Sequence, residues 1–109
     1  MAVYMICNVV ITDDSWIPEY AAVVHDIVEK HGGRYFSRSG NITTIEGDDL
    51  ESSLIAIIEF PSLDHVKRFM ADPDYEQYKK ARIDGTKSNF HVIDDTDIAG
   101  TIPYLPKAS

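Results

Sequence analysis

Two segments of this chain are apolar on both sides of an extended backbone, and that restricts the fold more than any other feature. In "VYMICNVVI", Val3, Met5, Cys7, Val9 and Ile11 alternate with Tyr4, Ile6, Asn8 and Val10, and Asn8 is the one polar exception. In "LIAIIEF", Leu54, Ala56, Ile58 and Phe60 alternate with Ile55, Ile57 and Glu59. Strand side chains point alternately to the two faces of a sheet. Both segments therefore need cover above and below, which places them at the centre of their sheet. The other strand-like segments are more polar and suit its edges.

Between these strands the period changes. Ser15 can cap a helix running through about His31, with Pro18 tolerated in its first turn. Ile17, Tyr20, Ala21, Val24, Ile27, Val28 and His31 recur at helical spacing and form one apolar stripe. Gly32-Gly33 then stops the helix, because glycine adopts left-handed backbone at little cost. Residues 34–38 and 41–46 read as one strand, interrupted at Ser39-Gly40-Asn41. After the strand at 54–60, closed by Pro61, a helix begins at Ser62 or Asp64 with Leu63, Val66, Phe69 and Met70 on one face. Asp72-Pro73 breaks it and starts another helix, with Asp as cap and Pro at its first position. Residues 89–95 give a last strand. The order is β-α-β-β-α-β, the α+β ferredoxin-like pattern: a four-stranded antiparallel sheet with helices on one face. Residues 1–96 form the expected domain, and 97–109 an extended tail whose prolines forbid a regular helix.

Helices on one side cover only one face of the sheet. The other face exposes a contiguous apolar patch larger than soluble monomers carry. A second copy, packed sheet against sheet as an isologous homodimer, is the expected cover.

Charge and motif content narrow the function. The 109 residues carry a net charge of -8, which excludes an electrostatic nucleic-acid footprint and attraction to anionic membranes. Cys7 is the single cysteine, so neither an intrachain disulfide nor a Cys-based zinc site is expected. The apolar start lacks a basic region and a cleavage site, and no run approaches membrane-spanning length, so a cytoplasmic protein is expected. There is no Walker loop, G-x-G-x-x-G, H-E-x-x-H or G-x-S-x-G. His25 and His31 fall on different helix faces and cannot grip one metal together. No cofactor and no metal are expected.

The candidate functional residues cluster around "HGGRYFSRSG", residues 31–40. Its glycines follow a helix instead of opening one, so they form a C-terminal stop and not a phosphate cradle. His31 lies in the helix's last turn, where it either caps the end structurally or moves a proton at a pocket mouth. Strict alternation puts Arg34, Phe36 and Arg38 on one strand face, with Tyr35 and Ser37 on the other. The arginines could clamp a carboxylate or enolate, Arg34 being the better candidate, or pair with surface acids. Tyr75, Tyr78 and Arg82 line up along the last helix and offer a hydroxyl donor and an anion anchor, or simply pack on the sheet. Glu59, set among apolar neighbours in a central strand, needs a partner, and Arg34 or Arg82 would serve.

The runs "HGGRYFSRSG", "IEG", "IIEFPS" and "DPDYEQYKKAR" together resemble a bacterial family catalogued as domain of unknown function 1330, over about residues 3–95. That family belongs to the dimeric α+β-barrel superfamily, with branches among antibiotic-biosynthesis monooxygenases and muconolactone isomerases. The resemblance implies a ferredoxin-like protomer that pairs through its sheet, and it implies no established reaction. Two functions are therefore carried forward. One is a cofactor-independent enzyme, monooxygenase- or isomerase-like, on a small anionic or phenolic molecule, with Arg34, Arg82 and Glu59 binding and His31 or Tyr75 moving a proton. The other is a non-catalytic dimeric module for small-molecule binding or interaction. A cavity lined by His31, Arg34, Tyr75 and Arg82 would favour the first.

Overall fold

The computed structural model describes residues 2–99. The elements are β1 (Val3–Ile11), α1 (Ile17–Lys30), β2 (Arg34–Ser39), β3 (Leu54–Phe60), α2 (Leu63–Ala71), α3 (Pro73–Asp84) and β4 (Thr86–Asp94). The strands form one sheet in the order β2-β3-β1-β4, every neighbouring pair antiparallel. This is the ferredoxin-like α+β fold, and the two doubly apolar strands are its central pair.

The core lies between one sheet face and the helices. Val3, Met5, Cys7 and Val9 of β1 and Ala56, Ile58 and Phe60 of β3 are buried there against Val24, Ile27 and Val28 of α1, Val66 and Phe69 of α2, and Tyr75 of α3. On the opposite face Tyr4, Ile6, Val10, Ile55 and Ile57 are only half-buried, and Phe36 and Ile93 stand exposed.

Local chemistry sets the helix ends. Ser62 caps α2, its side chain accepting from the His65 amide. Asp72 caps α3, its carboxylate accepting from the Asp74 amide at 2.8 Å. Each satisfies an amide that the helix leaves free. At the end of α1, Gly32 has φ +79, and the amides of Gly32 and Gly33 donate to the carbonyls of Glu29 and Val28. A Cβ on Gly33 would lie 2.5 Å from Val28 Cγ1 and 2.8 Å from Phe60 Cε1, so the chain turns against its own core there.

The structure corrects four expectations. Helix α1 begins at Ile17, not Ser15, and its N-cap Trp16 makes no capping hydrogen bond. Asp13 Oδ1 accepts from the Ser15 amide at 2.9 Å, which folds Ser15 into a turn ahead of the helix. Strand β2 ends at Ser39, and residues 41–46 are not a strand. Ser39 already pairs with Ile55, one residue from the start of β3, so a longer β2 would have nothing to pair with. Ile45, expected in that strand, is 91% exposed. Strand β4 starts at Thr86, three residues early, directly behind Gly85. Finally, β2 carries a bulge between Tyr35 and Ser37. The bulge resets the alternation: Arg38 sits opposite buried Ala56, on the helix side with Tyr35, while Arg34 opposes Glu59 on the open face. Of the expected tail, residues 100–109 lie outside the described residues.

Candidate functional site

The helix-covered face holds a partly open cavity of about 220 Å³ between α1, α3 and the sheet. Its floor follows from the register. Phe90 of β4, Cys7 of β1, Ala56 of β3 and Arg38 of β2 are successive partners across all four strands. The two central members are small, so the sheet leaves a hollow that Tyr20, Ala21, Val24 and His25 of α1 roof over. Trp16 closes the β4 end by lying close to Gly85, where a Cβ would fall 2.4 Å from its Cδ1.

Tyr75 reaches the cavity from α3 and is fully buried. Its ring stacks on Phe69 at 4.4 Å, and its hydroxyl shares a 2.7 Å hydrogen bond with the Tyr20 hydroxyl. Burial, reinforced by Tyr75, pushes the Tyr20 hydroxyl far above the usual tyrosine range, so it remains protonated. Burial also pushes the Cys7 thiol up to about 12, with Arg82 opposing it.

Arg82, in the last turn of α3, is 4% exposed and lines the same cavity. Its Nη1 donates to Ser88 Oγ at 2.9 Å, and its guanidinium lies 4.2 Å from the Phe90 ring centroid. No carboxylate pairs with it among the described residues, and its buried Nε has no hydrogen-bond partner there. A buried cation is usually paired. This one is held by a hydroxyl and a ring and keeps a donor free.

His25, Tyr35 and Arg38 stand together at the α1–β2 side of the cavity. His25 stacks on Tyr35 at 5.4 Å with its Nε2 3.0 Å from Glu29 Oε1, and the Arg38 guanidinium lies 4.3 Å from the Tyr35 centroid. Burial raises the Tyr35 hydroxyl, while Arg38 acts to lower it.

The structure brings together only part of the set singled out from the sequence. Tyr75 and Arg82 share the cavity wall. His31 does not line it; its Nε2 donates to Asp72 Oδ2 at 2.7 Å, and Lys30 Nζ reaches the same oxygen at 2.9 Å. This ties the end of α1 to the cap of α3. His31's hydrogen bond, the Asp74 amide and Lys30 hold the Asp72 carboxyl well below the usual carboxylate range. Arg34 and Glu59 pair with each other at 3.3 Å on the open sheet face, away from the cavity. Of the two partners foreseen for Glu59, Arg34 is the one used. Sequence reasoning missed Tyr20, His25 and Tyr35 as cavity residues, and it weighed Arg38 as an anion clamp only on the strand face shared with Arg34. Tyr20 carried a usable signal, a hydroxyl-bearing ring in a stripe that is aliphatic from Ala21 to Val28. Arg38 carried none, because the bulge that turns it inward has no glycine or proline to mark it.

Among the described residues no group of His, Cys, Asp and Glu is arranged to hold a metal, and no helix is long and apolar enough to cross a membrane.

Fold and cavity together define a small ferredoxin-like α+β protein with an arginine buried beside a partly open, largely apolar space. The chain belongs to the family described as domain of unknown function DUF1330, whose profile matches residues 2–96. Solved structures share its fold. It is similar to the RPA0582 protein of unknown function from Rhodopseudomonas palustris, with 16% identity, a TM-score of 0.71, and coverage of 88% of this chain and 83% of that one. It is also similar to SnoaB, a cofactor-independent oxygenase from Streptomyces nogalater, with 13% identity, a TM-score of 0.61, and coverage of 88% and 94%. Protein Atu4242 from Agrobacterium tumefaciens matches with 20% identity, a TM-score of 0.51, and coverage of 99% and 100%. No curated protein matches the chain.

Proposed function

We propose that this protein binds a small anionic or phenolic molecule in the cavity and acts on it without a cofactor. The observation that carries this reading is Arg82: a buried guanidinium on a cavity wall, with no carboxylate partner among the described residues and a free Nε donor. A carboxylate, enolate or phenolate placed there would gain a charge-assisted hydrogen bond in surroundings with little water to compete. The Tyr20–Tyr75 pair contributes a protonated hydroxyl that can donate to a ligand oxygen. Tyr75 is the proposed proton-handling residue and Arg82 the proposed anchor. His31, Arg34 and Glu59 satisfy one another or Asp72 and take no part in this reading. The resemblance in fold to a cofactor-independent oxygenase makes enzyme chemistry the first thing to assay.

The test is a thermal-shift screen of small acids and phenols against the wild type and Arg82→Ala, followed by assay of each hit for consumption under air. Stabilisation by acids or phenols that is lost in Arg82→Ala supports the reading. Equal stabilisation in both proteins, or none in either, refutes it. The Tyr20 and Tyr75 hydroxyls are tied to each other by a 2.7 Å hydrogen bond, which favours a second reading in which the cavity binds without reacting. Hits that stabilise and are never consumed would establish that one.

We also propose that the open sheet face pairs with a second copy of this chain. Tyr4, Ile6, Val10, Ile55, Ile57 and the exposed Phe36 and Ile93 form an apolar surface on β1 and its neighbours, interrupted on β1 by Asn8. Light scattering at micromolar concentration should give twice the chain mass, and Ile6→Lys should give the single-chain mass. A monomeric wild type refutes the pairing.

A further inference from the structure

The chain has four arginines, at positions 34, 38, 68 and 82, and their pairing divides them cleanly. Arg34 pairs with Glu59 and Arg68 with Asp64, and neither lines the cavity. Arg38 and Arg82 pair with no carboxylate among the described residues, and both line it. The sequence holds 18 acidic residues, yet none of them lines the cavity. In a protein of net charge -8, this wall is selectively stripped of negative charge.

The two free cations sit at opposite ends of the hollow. Arg82 lies over Phe90 and bonds Ser88, both on β4, one edge strand. Arg38 lies over Tyr35 on β2, the other edge strand. Between them the floor is Cys7 and Ala56, apolar and short. At about 220 Å³ the space falls below the ~300–1,000 Å³ of pockets that take drug-sized ligands. It fits one ring or a short chain.

We infer that the cavity selects small acids with an anionic group at each end of an apolar body, one end held by buried Arg82 and the other by Arg38 at the mouth. This rests on the anion-anchoring reading of Arg82 and adds a second contact that sets ligand class. Arg38 is exposed and rests on an aromatic ring, so it recognises the outer anion without first breaking an ion pair.

Calorimetric titration of two matched pairs tests the assignment: benzoate against benzene-1,4-dicarboxylate, and hexanoate against hexanedioate. The flexible pair removes dependence on one fixed span. In the wild type the dianion of at least one pair should bind roughly fivefold or more tightly than its monoanion, the scale of one exposed charge contact plus the twofold statistics of two equal ends. In Arg38→Gln that preference should fall to about twofold, the statistical value alone, while Arg82→Gln should weaken every acid. A wild-type preference of about twofold or less for both pairs, or one that survives Arg38→Gln, overturns the dianion assignment and leaves Arg82 as anchor for a monoanion. If no acid binds the wild type, the cavity reading itself falls, and this inference with it.

Discussion

Replacing Arg82 with methionine should make the ligand-free protein more stable while destroying its affinity for anions. Methionine keeps the length and much of the volume of the arginine stem, so the substitution removes charge with little change in packing. Three effects set the balance. The Ser88 hydrogen bond at 2.9 Å is lost, at about 1.5–3 kcal/mol for a bond to a charged group. Ser88 keeps its contact with the Thr86 hydroxyl at 2.9 Å, so no buried acceptor is stranded. The contact with Phe90 at 4.2 Å is lost too, at about 0.5–2 kcal/mol. Against these stands the desolvation of a guanidinium left 4% exposed with no neutralising acid and one donor unused, several kcal/mol per buried ion. Desolvation outweighs the two lost contacts, and Arg82→Met should gain about 1–2 kcal/mol, the lower part of the range seen when buried ions are replaced by apolar groups. For a domain near this length each kcal/mol moves Tm by about 4–8 °C. Differential scanning calorimetry without added ligand should therefore show Tm at least about 4 °C higher in Arg82→Met. The acids that stabilise the wild type should leave the variant's Tm unmoved. A variant that melts about 4 °C or more below the wild type would refute the reasoning, because it would mean the native fold already satisfies the charge.

Other perturbations separate parts of the structure. The depressed Asp72 carboxyl contributes stability that is present above the unfolded carboxylate range near pH 4 and is lost as pH falls through its lower folded value. Melting temperature should therefore drop on acidification below about pH 4 in the wild type, and Asp72→Asn should already be low at neutral pH and flatter on acidification. Matching slopes in the two proteins would exclude the His31–Asp72–Lys30 cluster as the cause. Gly33→Ala places a methyl 2.5 Å from Val28 Cγ1 and 2.8 Å from Phe60 Cε1, and urea unfolding should show a loss of about 1–3 kcal/mol from overpacking. An unchanged midpoint would show that α1 shifts freely at its end. Cys7, buried with its thiol pushed up to about 12, should resist an aromatic disulfide reagent at about pH 8 until urea unfolds the chain. Rapid native labelling would instead mean that the cavity admits the reagent as far as its floor.

Most segments whose environment was encoded locally were located by sequence reasoning. The central strands announce themselves because Ile6, Val10, Ile55 and Ile57 have no polar alternation to offer solvent. Asp72-Pro73 marks the α2–α3 break through backbone chemistry that acts within three residues. One failure was local, the Asp13–Ser15 turn ahead of α1; the others depend on partners distant in sequence. Nothing within residues 41–46 states that β3 begins only at Leu54 and leaves them unpaired. Nothing near Phe36 marks a bulge, so an alternation valid within any regular strand assigned Arg38 to the wrong face. The candidate site shows the same division. Tyr75 and Arg82 were legible as one helix face, whereas Tyr20 and His25 join them only because α1 crosses above Cys7 and Ala56.

The β2 bulge is a one-residue change of count, and it distributes two similar arginines to opposite sides of a sheet only one residue thick. Arg34 answers Glu59 on the surface proposed for self-pairing, and Arg38 faces the partly open space beneath α1. An edge strand is held on one side only, so β2 has a single partner, β3, to fix its register. A slip that removed the bulge would move charge from one surface to the other with no change in composition. The count of residues in that bulge therefore decides whether the Arg38 charge faces the cavity or the surface proposed for self-pairing.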